Sequence, residues 1–470
     1  MNALSVVFLV MSAAIAQAPP APARPNLVVI LVDDLRWDVL GASGHPFVSS
    51  PNIDRLAREG VLFRNAFVTT PLCSPSRGSL LTGQYARTHG ALINTSALRS
   101  WIPTFPELLL AAGYDTAFVG KWHMGDTDDA PKPGFARWSA FAGQGSYRDP
   151  ELNIDGVRVR AQGYTTDVLN RYAMDFLRTA ARSPRPFLLY LSHKAVHGPL
   201  DPPERHAELY AGRKVECSPG CADTLEGKLA LTRDVPGAGQ LKPGRKRFEE
   251  QVRARLRLLK SVDEGVGEIL SLLAEAGILD QTAVVFTSDS GLFFREHGLA
   301  DKRWPYEEAI RVPLLLRYPP LATPGARIER LVLNTDLAPT LLELGNVSVP
   351  PGIHGRSLVS LLRGETVGWR DMFAAEYFEE DDFPLVPTWE AVRSERWKYI
   401  RYPALGVEFD ELYDLWSDPY ELTNQAHNAI LTDTLESLRR RLDRLLTFPP
   451  RPPSGNEAPA SPDPLPSRVP

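Results

Sequence analysis

Four apolar runs in this chain stop at residues that can do chemistry. Asn26-Leu-Val-Val-Ile-Leu-Val32 ends in Asp33-Asp34. Tyr114-Asp-Thr-Ala-Phe-Val119 ends in Gly120-Lys121-Trp-His123-Met-Gly125. Pro186-Phe-Leu-Leu-Tyr-Leu191 ends in Ser192-His193-Lys194-Ala-Val-His197. Ala283-Val-Val-Phe-Thr287 ends in Ser288-Asp289-Ser290. Adjacent carboxylates just past a buried run are costly unless something positive sits there. Oxygen ligands point to a hard cation, Ca²⁺ or Mg²⁺. A helix-capping pair is the plainer alternative for Asp33 and Asp34 taken alone. Lys121 and His123 put a cation and an imidazole on a glycine-flanked turn, where backbone can approach a ligand closely.

A fifth stretch, Thr69-Thr-Pro-Leu-Cys73-Ser-Pro-Ser-Arg77-Gly-Ser-Leu-Leu-Thr-Gly83, adds a reactive group. It reads as a loop entering a helix. Pro75 suits a first helical turn. Ser74 or Ser76 can cap it, and Gly83 is a natural stop. Cys73 then lies at a helix start, where free N–H groups and the dipole favour an anion. Arg77 adds a cation one turn on. The plain alternative is a small buried thiol.

The elements that must hold these residues follow an α/β pattern. The apolar runs are continuous and β-branched, as in strands buried on both faces. Helix-period segments separate them: Pro51 to Glu59, Pro103 to Ala112, Tyr164 to Ala181, Arg245 to Ala276, and one entered at Asp336. Such alternation implies a large, mostly parallel sheet sandwiched by helices, with ligands at the carboxyl ends of the strands. Val61-Leu-Phe63 and Val312 to Arg317 read as further strands. Asp126 to Gly163, rich in Gly, Pro and Asp, reads as substrate-facing loops, and 200 to 245 as an insertion. The strand ends should share one edge, where a single anion site with one hard metal accounts for all of them.

After Gly364 the character changes. Ala391-Val-Arg393, Trp397 to Tyr402 and Glu411 to Leu415 alternate like short antiparallel strands, and Ile430 to Leu446 is an amphipathic helix to cover them. The expected organisation is a signal peptide over 1–18, a linker over 19–25, a catalytic domain over 26–364, a smaller subdomain over 365–447, and a disordered Pro-rich tail over 448–470. Leu4 to Ile15 is apolar and small residues follow, which implies a periplasmic or secreted protein; the missing Lys or Arg before it leaves an uncleaved anchor as the alternative. No other stretch looks transmembrane. Three cysteines fit export: Cys217 and Cys221 can close a short disulfide loop, leaving Cys73 unpaired. A net charge of −5 gives no basic field for nucleic acid.

Cys73-Ser-Pro-Ser-Arg77 resembles the maturation motif of formylglycine-dependent (type I) sulfatases, in the alkaline phosphatase superfamily. The similarity continues through Asp33-Asp34, Gly120-Lys121-Trp-His123, Val196-His197-Gly-Pro199, Ser288-Asp289 and Asp301-Lys302, in family order over residues 26 to 447. The resemblance implies an alkaline-phosphatase-like fold and hydrolysis of a sulfate ester. It implies that a separate maturing enzyme oxidises Cys73 to formylglycine. One hydroxyl of the hydrate would attack sulfur, and the other would then expel sulfate and restore the aldehyde. Asp33, Asp34 and Asp289 resemble the Ca²⁺ carboxylates, with modified Cys73 completing the shell. Arg77 and His123 would hold the hydrate. Lys121 and Lys302 would neutralise sulfate oxygens. His197 would protonate the leaving oxygen, with Lys302 as helper, and so Lys121, His197 and Lys302 form the substrate-binding set. Ser290 is the remaining member of the metal set. The family commonly carries Asn, His or Gln there, and a serine hydroxyl is a shorter, weaker neutral ligand. His193 stands where the family usually has an aromatic and is given no chemistry.

Met124 and the stretch from Glu296 to Pro313 are similar to carbohydrate sulfatases, including N-acetylglucosamine-6-sulfatases, so a sulfated glycan is the implied substrate. Two rivals stand beside this reading. A phosphonate monoester or phosphodiester hydrolase can use the same nucleophile. A catalytically weak, glycan-binding pseudo-sulfatase is favoured by Ser290 and opposed by the presence of Cys73, Lys121, His123, His197 and Lys302.

Overall fold

β1 (Asn26–Val32) lies at the middle of the molecule. Leu27, Val29 and Leu31 face one side of the sheet and Val28, Ile30 and Val32 the other, all of them at most 1% exposed. This is the two-sided burial that a continuous apolar run implies. The first face packs on Leu80 and Leu81, Phe105 and Leu109, and Leu337 and Leu341. The second packs on the helices Pro51–Glu59, Thr165–Ala180 and Arg245–Glu275 through Ile53, Leu169 and Leu259. The computed structural model describes residues 24–235 and 245–447. The expected signal peptide, most of the linker and the Pro-rich tail lie outside the described residues.

The remaining strands of the large sheet are β2 (Val61–Phe67), β3 (Asp115–Lys121), β4 (Arg137–Phe141), β5 (Glu151–Ile154), β6 (Val157–Arg160), β7 (Phe187–Ser192), β8 (Thr282–Ser288), β9 (Arg311–Arg317) and β10 (Ala326–Leu333). Their order is β10-β2-β9-β8-β1-β7-β3-β4-β5-β6. The centre is parallel; β9 runs antiparallel to β2 and β8, and β4, β5 and β6 form antiparallel pairs. The mostly parallel sheet sandwiched by helices is therefore present. Two expectations change. Residues 126–163 are not all loop, because β4, β5 and β6 lie within them. β10 extends the sheet past β2 in a segment whose charged, alternating residues give little apolar signal.

A second sheet follows, antiparallel in the order β11 (Met372–Tyr377), β12 (Trp389–Ser394), β13 (Trp397–Arg401), β14 (Glu411–Asp414). The helix Thr432–Leu446 covers it with Leu435, Leu438, Leu442 and Leu446. Between the two sheets lies a seam of buried charge. Lys398 pairs with Glu307 (3.0 Å) and Glu421 (2.7 Å). Arg393 reaches Glu307 at 3.3 Å, and Glu411 accepts hydroxyls from Tyr306, Tyr402 and Tyr413. His297 and Lys228 share Asp223 at 2.6 and 2.7 Å. Cys217 and Cys221 form a disulfide beside the Phe294 carbonyl.

Candidate active site

β8, β1, β7 and β3 are consecutive neighbours in the sheet and mutually parallel, so their carboxyl ends share one edge. Direct bonds join these ends. Asp34 N donates to Asp289 Oδ1 (3.2 Å), Asp33 N to Ala195 O (2.9 Å), and Leu35 N to Ser288 Oγ (2.9 Å). Lys121 is the last residue of β3 rather than part of a turn. Gly120 permits that extension: its φ is 115°, and a Cβ there would lie 1.8 Å from Ser192 O. Asp34 and His123 hold left-handed φ values of 62° and 58°, a local cost that tends to persist where a site imposes it.

The helix Cys73–Thr82 runs into this edge, and all ten of its residues are buried. Leu72 is its N-cap, with no side-chain cap bond. The expected serine caps are absent because the helix starts at Cys73, which puts Ser74 and Ser76 inside it, and their hydroxyls bond elsewhere. Ser74 Oγ donates to Asn94 O (3.1 Å), and Ser76 Oγ accepts from Asn334 Nδ2 (2.9 Å). Cys73 is therefore the first helical residue. Its Sγ lies 2.9 Å from Lys302 Nζ, 3.7 Å from Lys121 Nζ and 3.5 Å from Asp33 Oδ1. Burial and Asp33 push the thiol up to about 12, against Lys121 and Lys302. It keeps its proton at neutral pH, the opposite of an activated cysteine nucleophile.

Three cations of the site are matched to carboxylates. Lys121 pairs with Asp33 and Lys302 with Asp34. Arg77 Nη2 pairs with Asp289 (2.7 Å) and reaches Asp33 (3.4 Å), while Nη1 donates to Lys121 O and Ser192 Oγ, both at 2.7 Å. It thus contacts the carboxylates and the strand ends and not Cys73. Lys121 and Arg77 hold the Asp33 carboxyl well below the usual range against strong desolvation. Burial and Asp33 push Asp289 upward. Asp33, Asp34 and Asp289 each bring an oxygen within 4.8 Å of the others. Three crowded, buried carboxylates are hard donors, and this set fits Ca²⁺ or Mg²⁺. Ser290 is fully buried, and its hydroxyl donates to Asp34 Oδ1 at 3.0 Å. It orients a carboxylate of the set.

The two imidazoles have different neighbours. His197 Nδ1 is 2.6 Å from Gly198 O, and Nε2 faces Asp34 Oδ2 at 3.7 Å. A carbonyl partner places the proton on Nδ1. Burial holds His197 down to about 4 despite Asp33 and Asp34. Burial and Lys121 depress His123 strongly. Its Nε2 is 3.1 Å from Gln144 Nε2, and Gln144 Oε1 accepts from Lys121 Nζ at 2.6 Å. With its oxygen on the lysine, the amide offers its N–H to the imidazole, which fixes the His123 tautomer. His193 is buried with no partner at Nδ1, and burial alone takes it down to about 3.

Gln144 is the site residue that sequence reading missed. It follows β4, the parallel neighbour of β3, in Phe141-Ala-Gly-Gln144-Gly. That is a fifth strand end at the same edge, and its glycines carried the same signal as Gly120 and Gly125.

A family model for sulfatases matches residues 25–347, and one described as N-sulphoglucosamine sulphohydrolase, C-terminal, matches 295–447. The chain belongs to the sulfatase family and is a sulfuric ester hydrolase. Among its relatives, an N-acetylglucosamine-6-O-sulfatase of Bacteroides thetaiotaomicron is 30% identical over 85% of this chain and 82% of its own length. A ulvan-active sulfatase of Formosa agariphila is 29% identical over 90% of this chain and 81% of its own. A solved structure of a protein in complex with its substrate, D-glucosamine-2-N,6-O-disulfate, gives a TM-score of 0.82 at 29% identity, covering 90% of this chain and 97% of that one. A phosphonate monoester hydrolase of Agrobacterium radiobacter shares the fold, with a TM-score of 0.75 at 24% identity over 90% of this chain and 95% of that one.

Proposed function

We propose that this protein removes sulfate from a sulfated carbohydrate, using formylglycine formed at Cys73 and a Ca²⁺ ion held by Asp33, Asp34 and Asp289. One observation carries the reading: Asp33, Lys121 and Lys302 stand 3.5, 3.7 and 2.9 Å from Cys73 Sγ, Asp34 is paired with Lys302, and Asp289 brings an oxygen within 4.8 Å of Asp33 and Asp34. The converted residue would supply a geminal diol for attack and elimination, and the ion would supply positive charge beside it.

The chain's own residues do the rest. Lys121 and Lys302 present two ammonium groups on the sulfate side, fixed before substrate arrives, which is how charge stabilises a transition state at least cost. Arg77 locks Asp33 and Asp289 in place and ties them to the ends of β3 and β7. Ser290 orients Asp34, and its place in the metal set is indirect. His123 is kept neutral and aimed by Gln144. His197 faces the cluster through Nε2; as the imidazolium, protonated on both nitrogens, it would pass the Nε2 proton to the leaving oxygen, with Lys302 beside Cys73 as its helper. A sulfated glycan is the substrate class, which the glycan-active relatives support. Export to the periplasm or medium belongs to the same proposal, supported by the Cys217–Cys221 disulfide and by the absence, among the described residues, of a helix long and apolar enough to cross a membrane. So does the division into a catalytic domain over 26–364 and a subdomain over 365–447.

The test is the mass of the Cys73 peptide from cells that carry a maturing enzyme. The aldehyde form should lie about 18 Da below the thiol. An unmodified thiol in active protein would sink the mechanism. Turnover of a phosphonate monoester well above that of any sulfated sugar would move the chain to the rival hydrolase.

A further inference from the structure

Lys194 is a buried cation with no acid to hold it. It stands two residues past β7 and is 2% exposed. Its ammonium donates to the Gly198 carbonyl at 3.3 Å and lies 4.9 Å from the centre of the Tyr147 ring. Among the described residues it has no carboxylate within 4.0 Å. The other cations of the site differ: Lys121, Lys302 and Arg77 are each paired with Asp33, Asp34 or Asp289. A ring face and one carbonyl are weak substitutes for lost hydration. Sequence reading singled this lysine out, and no step of the hydrolysis uses it.

Its place is informative. Tyr147, whose ring carries the ammonium, donates its hydroxyl to His197 O at 2.7 Å. Lys194 therefore sits on the His197 flank, where the proposed reaction puts the departing alcohol. Burial and Lys121 lower it to about 8, with Asp33 and Asp34 acting the other way, so most of it is protonated at neutral pH. A cation kept charged, desolvated and unpaired beside a ligand site is poised for an anion that arrives with the ligand.

We propose that Lys194 receives a second anionic group of the substrate, a sulfate or a carboxylate borne by the sugar that leaves. The inference rests on the glycan sulfatase reading above. Three substrates with the same 6-O-sulfate separate the possibilities. N-acetylglucosamine-6-O-sulfate carries no second anion. D-glucosamine-2-N,6-O-disulfate carries a second sulfate. A uronate-linked disaccharide of the monosulfated sugar carries a carboxylate. Lys194→Met should lower kcat/KM about 100-fold on one or both of the doubly anionic substrates, and the arm that falls identifies the anion. The monosulfated sugar should change less than about threefold, and Lys194→Arg should keep most of the preference. Because the variant removes an unpaired buried charge, its thermal midpoint should hold or rise. Equal losses on all three substrates, or no loss on any, overturn the proposal. Absence of turnover of all three by converted wild-type protein would remove the reading beneath it instead.

Discussion

Residues 296–311 contribute to two clusters of buried charge, His297 and Glu307 to one and Lys302 to the other, and the two are built differently. At the seam, charge closes on itself: Lys398 on Glu307 and Glu421, Arg393 on Glu307, His297 and Lys228 on Asp223. At the site, the pairs surround a reactive atom. Lys302 touches both Asp34 and Cys73, and Lys121 both Asp33 and Cys73. Burial and pairing alone do not tell a working charge from a structural one. Topology does. The seam draws on the second sheet and on the loops and short helices packed against it, whereas the site hangs from consecutive parallel strand ends, with one cation left over.

The comparison can be broken by exchanging damage between the regions. Cys73→Ala should cut sulfate release by at least about 10⁴-fold while the unfolding midpoint moves little. Lys398→Met should do the reverse. Removing one member of a fully buried pair costs about 3–5 kcal/mol, visible in urea unfolding, with kcat near wild type in protein that remains folded. Loss of turnover without loss of stability would erase the distinction.

The seam should also respond to pH. Partners Asp223 and Glu308 raise His297 to about 9 from an ordinary 6.5, against desolvation. The folded state then holds its proton more tightly than the unfolded chain. The resulting stability is complete below 6.5 and is lost as pH rises through about 9, with a slope of up to about 1.4 kcal/mol per pH unit. His297→Asn should flatten that slope in unfolding measured from pH 6 to 9; an unchanged slope would place the titration elsewhere. Gln144→Ala tests the other region, and about a 10- to 100-fold loss in kcat/KM is expected, as for other groups that aim a catalytic side chain. The smallest effect should come from Ser290→Asn. Calorimetry on metal-stripped protein should show Ca²⁺ affinity raised a few-fold or unchanged, and a large loss would give Ser290 a direct role.

The site was legible wherever a strand end announced itself. β1 matches its apolar run residue for residue, because burial on both faces leaves no polar interruption. Gln144 was hidden because β4 spans five residues and is followed by β5 and β6, of which β6 is exposed at every position. Such strands have no apolar period to read. The serine caps failed for another reason: local preference favoured them, but the helix starts at Cys73, so Ser74 and Ser76 are helical residues whose hydroxyls bond to Asn94 and Asn334. The seam was invisible in the same sense, since Lys398 and Glu307 are 91 residues apart by their numbers.

The wholly buried helix Cys73–Thr82 carries a consequence about time. Cys73 is 0% exposed and Arg77 2%, in a helix whose ten residues are all buried. No second enzyme can read those residues in the finished fold. On the proposed route, conversion must precede folding, while the segment is still an open chain. A molecule that folds first is committed as a thiol, so the active fraction of any preparation records a race between maturation and folding.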